Sequence, residues 1–402
     1  MKLPLSWLRE FVDAPADPAE LERALVSVGL EVERIVDLRA TVTGDLVVGR
    51  VLEVEELTGF KKPIRFCRVD VGAANGSGAP QEIVCGASNF AAGDLVAVIL
   101  PGGVLPGGFA IGARKTYGRV SAGMICSGRE LGVSDDHAGI LVLPADAAAP
   151  GADARPLVGL DDVVVELNVT PDRGYCFSVR GVARELAASL RLPFRDPAHA
   201  AEPPARTADP AYPVRVEDPA GCDRFAGLAV RGVDPAAASP AWLTRRLTLA
   251  GMRPISLAVD VTNYLMLELG QPMHAFDLAA LRGELVVRRA RPGERLTTLD
   301  GVDRALHPED LVIADDSGVV SLAAVMGGAS TEVSAATTDL LLEAAHWDPV
   351  SVARTARRHK LPSEASRRFE RGVDPTLPPV ALARAVALLT EYGGGRVGST
   401  PR

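Results

Sequence analysis

Leu46-Val47-Val48-Gly49-Arg50-Val51-Leu52-Glu53-Val54 decides how the first third of the chain folds, because from about Asp45 the period of the sequence becomes two. A period of two puts alternate side chains on opposite faces of a strand. The same pattern returns in Arg65-Phe66-Cys67-Arg68-Val69-Asp70-Val71 and in Leu95-Val96-Ala97-Val98-Ile99-Leu100. The glycine pairs Gly102-Gly103 and Gly107-Gly108 and the turn from Ala73 to Pro80 punctuate these runs. Short strands over roughly 100 residues predict a small closed β-barrel, with an immunoglobulin-like sandwich as the competing arrangement. The glycine pairs suit tight barrel corners better.

On either side of the barrel the pattern is mixed. Ser6 is placed to cap a helix carrying Trp7, Leu8, Phe11 and Val12. Asp17-Pro18-Ala19-Glu20 is a capping box with proline at the first helical position, opening a helix that Gly29 closes. Leu30 to Val36 alternates as a strand, Val163 to Leu167 reads as a buried strand, and Val179 to Leu190 as an amphipathic helix. The Ala- and Pro-rich stretch from Pro193 to Pro213 (Pro197, Pro203, Pro204, Pro210) reads as an interdomain linker. A second αβ domain follows, with a helix from Ser239-Pro240 to near Gly251. Strands are expected at 285–289, 311–314, 319–325 and 340–344, and helices at 350–359 and 380–392. The expected fold class is therefore α+β and multidomain.

Composition narrows the function. With 47% hydrophobic residues the chain can bury cores, and no apolar run approaches the ~20 residues of a membrane span. The first residues lack a secretory signal, which points to the cytoplasm. Five widely spaced cysteines (Cys67, Cys85, Cys126, Cys176, Cys222) form no Cys-x-x-Cys pair, arguing against a disulfide framework and a zinc site. A net charge of −8 means that any nucleic-acid contact must be local. There is no P-loop, dinucleotide fingerprint, nucleophile elbow or class II synthetase ATP motif.

Three stretches carry a resemblance. They are Leu5-Ser6-Trp7-Leu8-Arg9-Glu10-Phe11-Val12 with Val28-Gly29-Leu30-Glu31; Glu166-Leu167-Asn168-Val169-Thr170-Pro171-Asp172-Arg173 with Ser178 to Glu185; and a long third set. The third set runs through Asp260-Val261-Thr262-Asn263-Tyr264, Gly270-Gln271-Pro272-Met273-His274, Met326-Gly327-Gly328 and Ser363 to Pro375. In this order they resemble the bacterial phenylalanyl-tRNA synthetase β-chain over the whole sequence. That family's chain is about twice as long, so the resemblance implies its N-terminal half, without aminoacylation site. It implies an N-terminal αβ domain (1–40 plus 156–198) interrupted by an oligonucleotide-binding-type β-barrel (41–155). A linker (199–212) and a mixed αβ editing domain (213–395) would follow. It also implies tRNA for phenylalanine and the α-subunit as partners, in an α2β2 assembly, with ATP and Mg2+ used by the whole complex and no cofactor or metal in this part.

The resemblance brings an esterase site with it. Tyr differs from Phe by one hydroxyl, and a site that hydrogen-bonds that hydroxyl can select Tyr for hydrolysis. Glu343, in the otherwise apolar Leu340 to Ala345, matches the family's reader of that hydroxyl; a strand-edge glutamate in solvent fits the same pattern. His274 matches a pocket histidine that orients a water or the terminal ribose, against a core histidine bonded to a carbonyl. Thr262 and Asn263 are donors to the aminoacyl end, or turn caps. Gly327 and Gly328 admit close backbone approach, or form a plain hairpin. Ser363 and Ala365 match a pocket-lining stretch in which the family usually has threonine where this chain has Ser363. Two basic stretches are candidates to meet the tRNA backbone: Arg354, Arg357, Arg358, Lys360, Arg367, Arg368 and Arg371, which a salt-bridged helix face explains nearly as well, and Lys61, Lys62, Arg65, Arg68, Arg114, Lys115 and Arg119 on the barrel, the better of the two. Phe60, Phe66 and Tyr117 lie among the latter for base stacking, or as structural strand aromatics. A freestanding editing protein and a non-catalytic docking module with a vestigial site are the rival functions.

Overall fold

The structure, a computed structural model, describes residues 1–134, 139–199 and 212–397. Residues 200–211 of the expected linker, including Pro203, Pro204 and Pro210, lie outside the described residues. At its start Pro197–His199 form a 3-10 turn, and the Asp196 carboxylate accepts from Arg180 Nε at 2.7 Å.

Leu46–Leu57 lies at the centre of a six-stranded antiparallel sheet. Ile64–Asp70 and then Gln81–Cys85 follow on one side. Leu95–Ile99 lies on the other and pairs in turn with Met124–Ile125 and Val142–Leu143. The hairpin Ala113–Thr116/Arg119–Ala122 nearly closes this sheet, because the Val84 amide donates to Ser121 Oγ at 3.0 Å and Gln81 Nε2 donates to the Ala122 carbonyl. Val47, Val51, Cys67, Val69, Ile83, Val96 and Val98 fill the inside of the curl. Leu46, Val48, Leu95, Ala97 and Ile99 face a second core on the outside. Leu95–Ile99 departs from the expected period of two, because both of its faces are buried. Gly49 is required here: a Cβ would come within 2.6 Å of Val69 Cγ1 and 2.7 Å of Val98 Cγ2.

The chain segments flanking the barrel meet in one sheet, Lys2–Pro4 and Glu31–Asp37 on either side of Val163–Asn168, all antiparallel. Asp17 accepts from the Ala19 amide to cap Pro18–Ser27, as the sequence predicts. Ser6 does not act as predicted. The first helix is only Leu5–Leu8, and Ser6 instead donates its hydroxyl to Asp162, tying residue 6 to the far end of the sheet.

Beyond residue 212 two sheets face each other. One has the order Met273–Asp277, Leu340–His346, Arg224–Arg231, Arg396–Val397; the other Val214–Val216, Leu285–Arg289, Leu311–Asp315, Gly318–Leu322, Met326–Gly327. The expected strand at 319–325 is thus two strands joined by a tight turn, with Ala324 at φ 62°. The last helix begins earlier than expected, at Leu377, with proline in its first turn. A helix the sequence reading did not anticipate, Leu257–Leu269, is buried on nearly all sides and so has no polar face to reveal its period.

That helix and Leu377–Gly393 share a single hydrophobic core with the N-terminal sheet, from Leu3 and Val182 to Val261 and Leu389. Trp7 stacks on Tyr264 at 5.1 Å, and the Arg246 guanidinium lies 5.2 Å from the Trp7 ring and 5.1 Å from that of Trp242. All five cysteines are buried and free, and burial pushes the thiols of Cys67, Cys126, Cys176 and Cys222 up to about 12. No helix among the described residues is long and apolar enough to cross a membrane. Because Trp7 is fully buried at this junction, Trp7→Ala should cost about 3–5 kcal/mol, read as a lower urea midpoint; an unchanged midpoint would show that the junction contributes little.

Candidate functional site

The middle strand of the four-stranded sheet, Leu340–His346, separates two cores. Leu340, Leu342 and Ala344 pack with the helices, whereas Leu341 and Ala345 point into the layer between the two sheets. Glu343 falls on that second face. In register with it are His274 on one neighbouring strand and Gly227 on the other, so the three residues form a row across the sheet.

Glu343 is 7% exposed, and its carboxyl has no hydrogen-bond or ion-pair partner among the described residues. The contrast with the other buried carboxylates is sharp. Asp162 accepts from Ser6 and the Val163 amide, and Asp260 from Ser239 and the Ile255 amide. Glu268 accepts from Tyr264 and Arg384, and Asp310 from Thr355, Arg358 and His359. Glu343 alone among these buried acids is unpaired, and burial pushes it up to about 8.

His274 sits edge-on to Phe276, 4.4 Å between centroids, and its Nε2 is shielded with no partner. Burial pushes this imidazole down to about 4. Near pH 7 the row therefore holds a neutral carboxyl, which can both donate and accept, and a neutral imidazole. A Cβ on Gly327 would come within 2.5 Å of His274 Cε1, so glycine is what lets the ring lie against that backbone. Gly328 serves the inter-sheet packing, since its Cβ would meet the Val320 carbonyl at 2.5 Å.

The remaining expected residues do different work. Thr262 and Asn263 lie inside helix Leu257–Leu269, not in a turn, and Thr262 Oγ1 already donates to the Val259 carbonyl at 2.8 Å. Ser363 caps helix Glu364–Phe369 and donates to the Val325 carbonyl at 2.9 Å, fastening that helix beside Met326–Gly327. Ala365 packs on the inter-sheet core. Two residues went unassigned in the sequence reading. Gly227 stands opposite Glu343, and since a Cβ there would meet only ordinary contacts at 3.7–3.9 Å, packing alone does not require glycine; an isolated glycine within a strand is its signal. Gln271, fully buried, donates to the carbonyls of Pro272 and of Ala345 (3.0 Å), setting the turn that delivers His274.

The basic surface of the barrel divides in two. Arg65 donates to Glu56 at 2.7 Å and Arg119 to Glu55 at 2.6 Å, so both charges are offset within the barrel. Lys61, Lys62, Arg114 and Lys115 have no ion-pair partner among the described residues. Between them the exposed rings of Phe60 and Tyr117 meet edge to face at 4.8 Å, whereas Phe66 is buried under Arg119. No three His, Cys, Asp or Glu side chains gather as a metal site among the described residues.

Sequence comparison brings both places together. A B3/4 domain model matches residues 221–394, spanning the Glu343 row, and a putative tRNA binding domain model matches residues 46–153, spanning the basic surface. Phenylalanine–tRNA ligase β-subunits of Thermobifida fusca, Streptomyces avermitilis and Nocardia farcinica are 59%, 60% and 61% identical to the chain over 99%, 98% and 99% of its length. The chain belongs to the phenylalanine–tRNA ligase β-subunit family. It spans about half the length of these relatives, 48% of each. A solved N-terminal fragment of the phenylalanyl-tRNA synthetase β-subunit from Pyrococcus horikoshii aligns over 51% of this chain and 62% of its own at 14% identity and a TM-score of 0.28, a likeness too slight to bear on the fold.

Two outcomes are expected of this family member. The fold holds Glu343 neutral, at about 8 against the usual 4.5, so the stability that this carboxyl contributes is complete below about pH 4.5 and is lost as the pH rises through 8. His274 runs the other way, its contribution complete above 6.5 and lost as the pH falls through about 4. Glu343→Gln, neutral at every pH, should melt close to the parent near pH 5 and progressively above it up to pH 8, by about 1.4 kcal/mol per pH unit at most; a gap independent of pH would refute the burial argument. For the barrel, replacing Lys61, Lys62, Arg114 and Lys115 by alanine should weaken RNA binding and flatten its salt dependence by about 0.7–0.9 per lost phosphate contact. Arg65→Ala/Arg119→Ala should leave the slope nearly unchanged, and equal effects in both sets would erase the distinction.

Proposed function

We propose that residues 213–395 act as an editing domain, hydrolysing tyrosine wrongly esterified to the 3′ end of a tRNA for phenylalanine. The barrel, residues 41–155 with an oligonucleotide-binding fold, holds that tRNA, and residues 1–40 with 156–198 form the domain that carries both. The observation behind this reading is the unpaired Glu343 carboxyl, aligned across the sheet with His274 and with Gly227. Burying a carboxyl without a partner is costly, and a ligand hydroxyl removes that cost. A tyrosyl phenol can donate to Glu343 or accept from it; a phenylalanyl ring leaves it unpaired, and the difference selects tyrosine.

Hydrolysis itself asks little of the protein. A water oxygen attacks the ester carbonyl carbon, the bond to the ribose oxygen breaks, and that oxygen takes up a proton. His274, neutral and with Nε2 free, holds the water or the ribose; positioning is its role. Gly327 beside His274, and Ser363 and Ala365 next to it, supply the walls of the site, whereas Thr262 and Asn263 lie in the helix on the other face of the strand. In the cytoplasm the chain works beside an α-subunit in an α2β2 ligase that charges tRNA using ATP and Mg2+, neither of which this part binds.

A docking module with a vestigial site is the second reading, favoured by the low exposure of Glu343. Incubating Tyr-tRNA and Phe-tRNA for phenylalanine with this chain separates the two. Editing predicts selective loss of Tyr, with the preference cut about tenfold or more in Glu343→Ala and the rate reduced in His274→Ala. Hydrolysis no faster than in buffer, or unaltered selectivity in Glu343→Ala, would favour docking.

A further inference from the structure

A cavity of about 690 Å³ opens between the N-terminal sheet and the two helices Pro349–His359 and Glu364–Phe369, and neither Glu343 nor His274 lines it. One wall is formed by Leu167, Asn168 and Val169 where their strand ends; the other carries Arg357, Lys360, Arg367 and Arg371. Glu33 and Glu370 are the carboxylates that face these cations. Arg367 shares Glu364 at 3.4 Å, but Arg357 and Lys360 have no acidic partner among the described residues. Lys360 also holds the left-handed position that ends its helix, φ 55°, a conformation glycine adopts at lower cost.

A second observation points outward from the protein. The Arg371 guanidinium stacks on Phe177 at 4.7 Å and donates through Nη1 to the Val169 carbonyl at 2.6 Å, yet its Nε is shielded from solvent with no acceptor. Beside it Arg368, 1% exposed and 5.1 Å from the same ring, leaves Nη2 without an acceptor. Buried N–H donors are nearly always paired in folded proteins; of these two residues Arg371 lines the cavity, and its unpaired Nε adds to the cationic character given by Arg357, Lys360 and Arg367. The chain as a whole carries −8, which confines the attraction to such places.

We propose that this cleft binds a single strand of RNA through its phosphodiesters, a second RNA site separate from the barrel. The proposal rests on the reading that the chain handles tRNA. A volume of this order admits a nucleotide or two, and the apolar Leu167, Val169 and Pro362 suit sugars and bases better than a bare anion. Helix Glu364–Phe369 links the cleft to the editing site: its cap, Ser363, is bonded beside Met326–Gly327, and Ser366 and Arg367 of the same helix line the cleft.

The test is fluorescence anisotropy of a short labelled single-stranded RNA across a salt series. The proteins are the parent chain, Arg357→Glu/Lys360→Glu, the barrel variant lacking Lys61, Lys62, Arg114 and Lys115, and the combination. Arg357 and Lys360 are exposed, so the cleft variant should keep its melting temperature. It should bind RNA about tenfold more weakly, with the salt slope reduced by about 1–2, in addition to the barrel's effect. Unchanged affinity and slope in the cleft variant, with binding lost in the barrel variant, would overturn this inference alone. No RNA binding by the parent chain would overturn this inference and the tRNA-handling reading together. Displacement of the cleft-dependent component by inorganic phosphate or AMP, at equal phosphate concentration, would mark a small-anion site and overturn the strand proposal.

Discussion

One strand, Leu340–His346, has to be apolar on both faces because a hydrophobic core lies on each side of it. Most of the region beyond residue 212 depends on this. The helices Leu257–Leu269 and Leu377–Gly393 pack on one face, and the second sheet covers the other. A carboxyl there loses its hydration and responds by holding its proton. Asp310 shows what the fold does when a buried acid is structural, since Thr355, Arg358 and His359 surround it and its carboxyl stays below the usual range. Glu343 receives no such support, and the two cores around it absorb the cost.

Rigidity around the row comes from contacts distant in sequence. Trp7, Trp242, Tyr264 and Arg246 lock the N-terminal sheet to the helix behind the site. Arg368 reaches from helix Glu364–Phe369 to the Phe177 carbonyl at 3.0 Å. The barrel is held through Val164 and Leu249, which enter its outer core. Parts that follow one another as separate units along the chain are therefore joined by shared hydrophobic layers, and shared burial resists relative movement better than surface ion pairs do.

Much of this was legible in the sequence. Local rules were enough where the signal is local: a period of two for the barrel strands, Asp17 and Pro18 for the start of a helix, and an isolated glutamate in an apolar run for the candidate site. They failed where the outcome depends on what lies on the other side. Helix Leu257–Leu269 escaped because it is enclosed, and Ser6 was misassigned because its partner, Asp162, lies 156 residues away. Arg65 and Arg119 look as free in the sequence as Lys61 and Lys62, and only strand pairing reveals Glu56 and Glu55 beside them.

By itself, the sequence determined much of the order of elements, the family, and the residue types able to read a hydroxyl or meet a phosphate. Those follow from periodicity, turn chemistry and motif order, which are properties of neighbours along the chain. The tertiary structure decided which polar groups are left without partners, among them Glu343, His274, and guanidinium donors of Arg368 and Arg371. Whether a buried group is satisfied depends on every atom packed around it, and in this chain those atoms come from strands and helices far apart in sequence.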